Sequence, residues 1–179
     1  MSESAPDKAA NPRVLIRPAL TRDVTDIARI VEPYAERGIL LAKELVGFYE
    51  AVQEFWVAEV DLAVVGCGAI HVMWEDLAEV RTLAVAPPFV GQGIGHKLLK
   101  ALLARARALE IPRVFCLTFE VEFFRAHGFA ELPEPGVPEP VFGQLLRSHD
   151  DGVAEFLELA RVKANTLGNT RMLARLSPG

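Results

Sequence analysis

Three glycines alternate along Gly91-Gln92-Gly93-Ile94-Gly95, between a run that reads as a strand and one that reads as a helix. Glycine has no Cβ to hold a ligand off the backbone, and it accepts left-handed φ. Successive N–H groups can therefore turn into one concavity. A helix starting near His96 adds unpaired N–H groups and the positive end of its dipole. Together these favour an anion, above all a phosphate or pyrophosphate, with Lys97 and Lys100 close by in sequence. A glycine-rich turn that binds nothing is the plainer alternative. Two better-known phosphate loops do not fit. A P-loop needs Gly-Lys-Ser/Thr, but the chain has Gly95-His96-Lys97-Leu98. The dinucleotide pattern G-x-G-x-x-G, counted from Gly91, places its last glycine on His96.

A second chemical feature lies just upstream. Glu79 and Arg81 interrupt the otherwise apolar run Ala78–Val85. Strand alternation predicts Glu79, Arg81 and Leu83 on one face and Val80, Thr82 and Ala84 on the other. Two charges in such a strand are costly unless they are paired or face a cleft. One reading is therefore a Glu79–Arg81 pair on an edge, and the other is a carboxylate that takes or relays a proton. The histidines do not form a metal site. Cys67 and His71 share a strand face but have no further ligands near them in sequence.

The elements that position these residues follow from period and punctuation. Val14–Pro18 reads as a short strand, followed by a helix capped at Thr21 and closed at Gly38. A second helix is predicted over Lys43–Gln53, then three meandering strands over Phe55–Val60, Ala63–Trp74 and Ala78–Val85. Pro87-Pro88 ends the third strand, and an amphipathic helix runs from His96 to Leu109. Arg113–Phe119 is a strand, Glu122–His127 a short helix, and Glu131–Pro140, with its four prolines, an extended surface loop. Helix over Val153–Lys163 and a strand over Arg171–Leu176 complete the order. This order predicts an α+β fold, a mixed sheet with helices packed against it.

The 179 residues suit one domain, expected over residues 13–179 behind a flexible stretch at residues 1–12. With 51% hydrophobic residues the chain can bury a core, and disorder over most of its length is excluded. The 19 basic and 24 acidic side chains give a net charge of −5, the wrong sign for general nucleic-acid binding. The apolar run Leu62–Trp74 is too short to span a bilayer, and the polar start has no signal-peptide pattern. Two cysteines without a C-x-x-C pair read as buried thiols in a reducing, cytoplasmic setting.

The run from Leu83 to Leu99 resembles the acetyl-CoA signature of the GNAT superfamily of N-acetyltransferases. The element order is similar too, and Phe123-Phe124-Arg125-Ala126-His127-Gly128-Phe129 looks like that family's later F-Y-x-x-x-G-F segment. The likeness covers Val14 to Leu132. It implies a central, mostly antiparallel sheet with helices on both faces and acetyl-CoA as co-substrate, and no metal is expected from the histidine spacing. It also implies that Leu83, Ala84 and Val85 pair with the pantetheine arm, and that Val90, Gly91, Gln92, Gly93, Ile94, Gly95 and His96 hold the pyrophosphate. By the same resemblance Glu79 is the base, and the Leu83 N–H stabilises the oxyanion. Val90 departs from the family's usual Gln or Arg, and Phe124 stands where many members carry a tyrosine acid.

For the acceptor, Ile30–Lys43 resembles the acetyltransferase domain of N-acetylglutamate synthases, with proline, then Gly-Ile-Leu, then a basic residue. Glu79 matches the Glu of their G-E-M-x-x-V-A-V run, and Asn169–Leu173 resembles their K-S-K-V-L ending. This implies a small-molecule partner, L-glutamate or a relative such as glutamine. It further implies the first step of arginine biosynthesis, and a short form lacking the larger kinase-like domain. A dicarboxylate needs two cationic or N–H-rich spots, and the candidates are Lys43, Arg81, Thr170 and Arg171, with Arg17 in addition. The synthases' arginine between Thr118 and Phe123 is missing, since this chain has Phe119-Glu120-Val121-Glu122. Another amine such as a protein N-terminus, or a non-catalytic acyl-CoA-binding role, would also fit the loop. A homodimer is compatible with the sequence, and neither membrane nor nucleic acid is an expected partner.

Overall fold

The computed structural model describes residues 13–134, 136–157 and 168–177. Within them seven strands form one sheet: β1 (Leu15–Pro18), β2 (Phe55–Val60), β3 (Ala63–Trp74), β4 (Leu77–Val85), β5 (Arg113–Thr118), β6 (Ala130–Glu131) and β7 (Thr170–Arg175). Their order is β1-β2-β3-β4-β5-β7-β6, and every pairing is antiparallel except β4 with β5. The helices are α1 (Val24–Glu36), α2 (Leu45–Glu50), α3 (Ile94–Ala108), α4 (Val121–Arg125), α5 (Glu139–Leu145) and α6 (Asp151–Phe156).

Alternation along the strands assigns the helices to two faces. On one, Leu99, Leu102 and Ala106 of α3 and Phe124 of α4 bury Ile70, Ala78, Val80, Val114, Cys116 and Met172. On the other, α1 and α2 cover Val57, Cys67, Ala69 and Ala84. Further along that second face, α5 and α6 cover Met73, Leu77 and Phe115. Between these two helical patches the sheet face carries Glu79 and Arg81, the cross-strand partners of His71 and Ala69.

The predicted alternation breaks inside β4. Cys67 pairs with Ala84 and Ala69 with Arg81, so Gly68 alone faces both Thr82 and Leu83. This is a β-bulge, with Thr82 at φ +56°. It turns Leu83 to the α3 face, away from Glu79 and Arg81. A Cβ on Gly68 would lie 2.9 Å from Leu102 Cδ1 and 3.0 Å from Leu83 Cδ1, so a larger residue there would require both leucine side chains to shift.

Other differences are local. Thr21 opens a 3-10 turn (Thr21–Asp23) ahead of α1 and does not cap the helix; the Leu20 N–H bonds to Asp23 Oδ2 at 2.8 Å. Helix α2 ends at Glu50, and a 3-10 turn continues over Val52–Glu54. Helix α3 starts two residues before His96, and α5 takes up the last two positions of the predicted 131–140 loop. The predicted helix Val153–Lys163 begins earlier, at Asp151, and residues 158–163 lie outside the described residues, as do residues 1–12.

Arg17, a candidate acceptor ligand from the sequence, serves the fold. Its guanidinium bridges Asp23 (2.6 and 3.0 Å) and Glu59 (2.7 and 3.0 Å), tying β1 and β2 to the start of α1. The Arg17 hydrogen bonds hold the Asp23 carboxyl below the usual carboxylate range, against its burial. Removing one partner of a buried pair costs about 3–5 kcal/mol. Asp23→Ala should therefore lower the unfolding free energy by about that much in a urea titration at pH 7. The gap to wild type should narrow as the pH falls below about 4, where the aspartate of the unfolded chain takes up its proton, and close only below the lowered value of the native carboxyl.

Candidate active site

Strands β4 and β5 are paired only over Leu77–Arg113, Ala78–Val114 and Glu79–Phe115. Beyond Glu79 they part, β4 staying with β3 and β5 with β7. The gap opens into a cleft of about 1080 Å³ lined by Glu79–Val85 on one side and Leu117–Glu120 on the other. Along this edge the backbone of β4 has no strand partner, so an extended ligand can take that place. Tyr34 of α1 fixes the far end of β4 by donating its hydroxyl to Val85 O at 2.6 Å.

At that end the chain makes a 3-10 turn (Pro87–Phe89) and enters the glycine loop. Gly91 (φ +84°) and Gly93 (φ +77°) are left-handed, and a Cβ on either would meet nothing within 4 Å. They are needed for backbone direction, not for space. Gly93 is the N-cap of α3 and offers no side chain, so the first N–H groups of the helix are left for a ligand. Phe123 lies 3.6 Å from the position of a Gly95 Cβ, with its ring centroid 4.9 Å from that of His96. His127 Nδ1 is 2.9 Å from Phe123 O, which can only accept. In the neutral pair His127 Nε2 therefore accepts from His96 Nδ1, 3.1 Å away.

The opposite end of the cleft is built around one arginine. The Arg81 guanidinium reaches Asp150 through Nη1 (2.9 Å) and Nη2 (3.0 Å) and Glu79 Oε2 through Nε (2.8 Å) and Nη2. Glu79 is 4% exposed. Burial pushes its carboxyl above the usual range; the Arg81 charge opposes this and the Asp150 charge adds to it. Burial would raise Asp150 as well, but there the hydrogen bonds and charge of Arg81, helped by the Val153 N–H, prevail and hold it at about 2. Both thiols are inert by environment: burial raises Cys67 to about 12 and also raises Cys116.

The cleft brings together Glu79, Leu83, Ala84, Val85, Val90, Gly91, Gly93, Ile94, Gly95, His96, Lys43 and Arg81. Gln92 points away and holds the loop through Nε2 to Pro88 O at 3.2 Å. Thr170 and Arg171 do not line it. Their position in β7 turns Arg171 under α6, where it donates to Phe156 O (2.6 Å) and Pro133 O (3.1 Å) and lies 5.3 Å from the Phe156 ring centroid. Arg81 lines the cleft, but four of its five N–H groups bond the two carboxylates. Sequence reasoning missed Tyr34, Arg37 and Asp150 as lining residues. The Asp-Asp-Gly start of α6 signals a cap, and nothing in it signals Arg81 as a partner. Among the described residues no group of three or more His, Cys, Asp or Glu could hold a metal, and no helix is long and apolar enough to cross a membrane.

A splayed parallel strand pair beside a glycine turn at a helix N-terminus is how acyl-CoA-dependent N-acetyltransferases seat a thioester next to an amine. The chain belongs to the Acetyltransferase (GNAT) family, which it matches over residues 23–131. It is 56% identical over 164 residues to the amino-acid acetyltransferase of Mycobacterium tuberculosis, covering 90% of this chain and 94% of that one. It is similar to the crystal structure of Rv2747 from Mycobacterium tuberculosis in complex with CoA and NLQ, with a TM-score of 0.88 and 55% identity over 91% of this chain and 99% of that one. N-acetylglutamate synthase from Neisseria gonorrhoeae, complexed with coenzyme A and N-acetyl-glutamate, superposes with a TM-score of 0.76 at 27% identity. That match covers 94% of this chain and 36% of the synthase.

Left-handed φ costs a residue with a Cβ about 1–2 kcal/mol. Gly91→Ala should therefore lower the melting temperature by a few degrees, because the left-handed backbone is strained whatever the space around the methyl. Where the loop relaxes out of that conformation to relieve the strain, CoA binding should weaken by up to about tenfold in calorimetric titration.

Proposed function

We propose that this enzyme transfers the acetyl group of acetyl-CoA to the α-amino group of L-glutamate, or of its close relative L-glutamine, the first step of arginine biosynthesis. The observation that carries this reading is the 56% identity, across nearly the whole of both chains, to an amino-acid acetyltransferase. The N-acetyl-glutamate in the Neisseria gonorrhoeae synthase complex points the same way.

The cleft supplies the parts such a transfer requires. The free edge of β4 at Leu83, Ala84 and Val85 takes the pantetheine arm. The N–H groups from Val90 to His96 take the pyrophosphate. The Leu83 N–H faces the thioester oxygen and stabilises the charge that develops there. The acceptor must lose a proton before it attacks, since an α-ammonium with a pKa of about 8–10 is mostly charged at pH 7. Glu79, buried at the point where β4 and β5 part, takes that proton directly or through one water. Its raised proton affinity suits the task, because it makes Glu79 a stronger base than an ordinary carboxylate. Among the described residues, Lys43 and Arg37, on the α1–α2 side of the cleft, are cations that can meet a substrate carboxylate. The thiolate leaving group, with a thiol pKa of about 8.5, needs little help, consistent with Phe124 in place of an acid.

The test is CoA release from acetyl-CoA across a panel of amino acids and peptides. Glutamate or glutamine should be turned over and N-terminal peptides should not. Peptide turnover alone, or tight acetyl-CoA binding with no release, would overturn the assignment. Glu79→Gln should lower kcat by about 10²–10⁴ and flatten the acid side of the pH–rate profile. An unchanged profile would remove Glu79 from the role.

A further inference from the structure

We propose that Asp150 is a positioning residue for Glu79: by claiming one edge of the Arg81 guanidinium, it keeps that arginine from neutralising Glu79 and so preserves a basic carboxylate in a buried site. The proposal rests on the reading of Glu79 as the group that takes the amine's proton. Asp150 lies beyond residue 131, where the family match ends, on the α5–α6 segment that packs over the second face of the sheet.

The geometry is an unequal competition for one cation. Nη1 and Nη2 of Arg81 form a two-pronged fork with the two oxygens of Asp150, while Glu79 takes Nε and Nη2 through the single atom Oε2. Paired forks are the stronger arrangement for guanidinium and carboxylate. Asp150 also accepts the Val153 N–H at 3.0 Å as N-cap of α6, and its side chain is 29% exposed against 5% for Glu79. Two carboxylates and one guanidinium leave one surplus negative charge. Asp150, better solvated and holding the Val153 N–H besides, keeps its charge, and the surplus falls on Glu79. The close approach of α6 is built in. A Cβ on Gly152 would sit 2.8 Å from Arg81 Nη2 and 3.0 Å from its Cζ, so a side chain there would displace the guanidinium.

The other groups around Glu79 do not supply this effect. From β3, His71 is its cross-strand partner and lowers its proton affinity when charged, but Nδ1 of His71 is engaged by Glu54 at 2.8 Å. From β5, the buried Cys116 thiol is raised and stays neutral. From α6, Glu155 accepts a hydrogen bond from Asn169 Nδ2 at 2.6 Å, and Asp151 is exposed at the helix start. Arg81, on β4 itself, is the cation for which Glu79 and Asp150 compete.

The test is the pH dependence of kcat/KM for wild type, Asp150→Asn, Asp150→Ser, Asp150→Glu and Glu79→Gln. Asn and Ser both keep a good N-cap for α6 but carry no charge. With either, Arg81 turns wholly to Glu79, the acid limb moves down by about one pH unit or more, and the plateau falls about tenfold. Asp150→Glu, which keeps the charge, should return the limb toward its wild-type position; damage to packing alone would not distinguish it from Asn. Limbs that coincide with wild type in the Asn and Ser variants overturn the proposal. A Glu79→Gln enzyme that retains the wild-type limb overturns the underlying reading of Glu79. A measurement on the wild-type protein needs no variant to fold: a ¹³C-carboxyl NMR titration of Glu79 should place it above the ordinary glutamate value of about 4.3. A titration at or below that value overturns the proposal.

Discussion

The parting of β4 from β5 is the constraint on which the rest depends. Two parallel strands that stayed paired would satisfy each other's backbone groups and leave no site. Three registered pairs, ending at Glu79–Phe115, join the two halves of the sheet, and beyond them each strand follows its other neighbour. The bulge at Thr82 and Leu83 lies on the freed stretch of β4, opposite Gly68. Tyr34 holds the outer end of that stretch. The cleft is therefore a place where the sheet is unfinished and an extended ligand can pair.

The buried charges follow from the same opening. Over most of the rest of the sheet, helices cover apolar faces. At the fork neither α1–α2 nor α5–α6 covers the sheet completely, and Glu79 and Arg81 stand between the two patches. A charged pair in such a place needs partners on every side, and Asp150 comes from α6 to provide one. The Arg17–Asp23–Glu59 cluster uses the same chemistry for a different end. There two carboxylates share one arginine to join β1, β2 and α1, away from the cleft.

Local rules made much of this legible. The three-strand meander, the apolar stripe of α3, the glycine turn and the strand at Arg113 all lie within two residues of their predicted limits, because each depends on neighbours close in the chain. Thr21 misled, since its neighbour Asp23 had a stronger partner in Arg17. Leu83 misled because strand alternation cannot register a bulge, which here sets Gly68 of β3 opposite both Thr82 and Leu83. Arg171 was drawn into the acceptor site by its likeness to a family ending, and the register of β7 turned it under α6 instead.

The sequence by itself determined the family, the order of elements, the anion-seating loop and the presence of a carboxylate in the strand before it. Those depend on spacing, turn residues and hydrophobic period, all local quantities. Tertiary structure alone decided which charges meet. Asp150 is 69 residues from Arg81, and no pattern in either segment encodes the other. The proton affinity of Glu79 is set by burial and by competition for one guanidinium. Both arise only in the folded chain, because electrostatic coupling depends on distance and solvent exclusion and not on position along the chain.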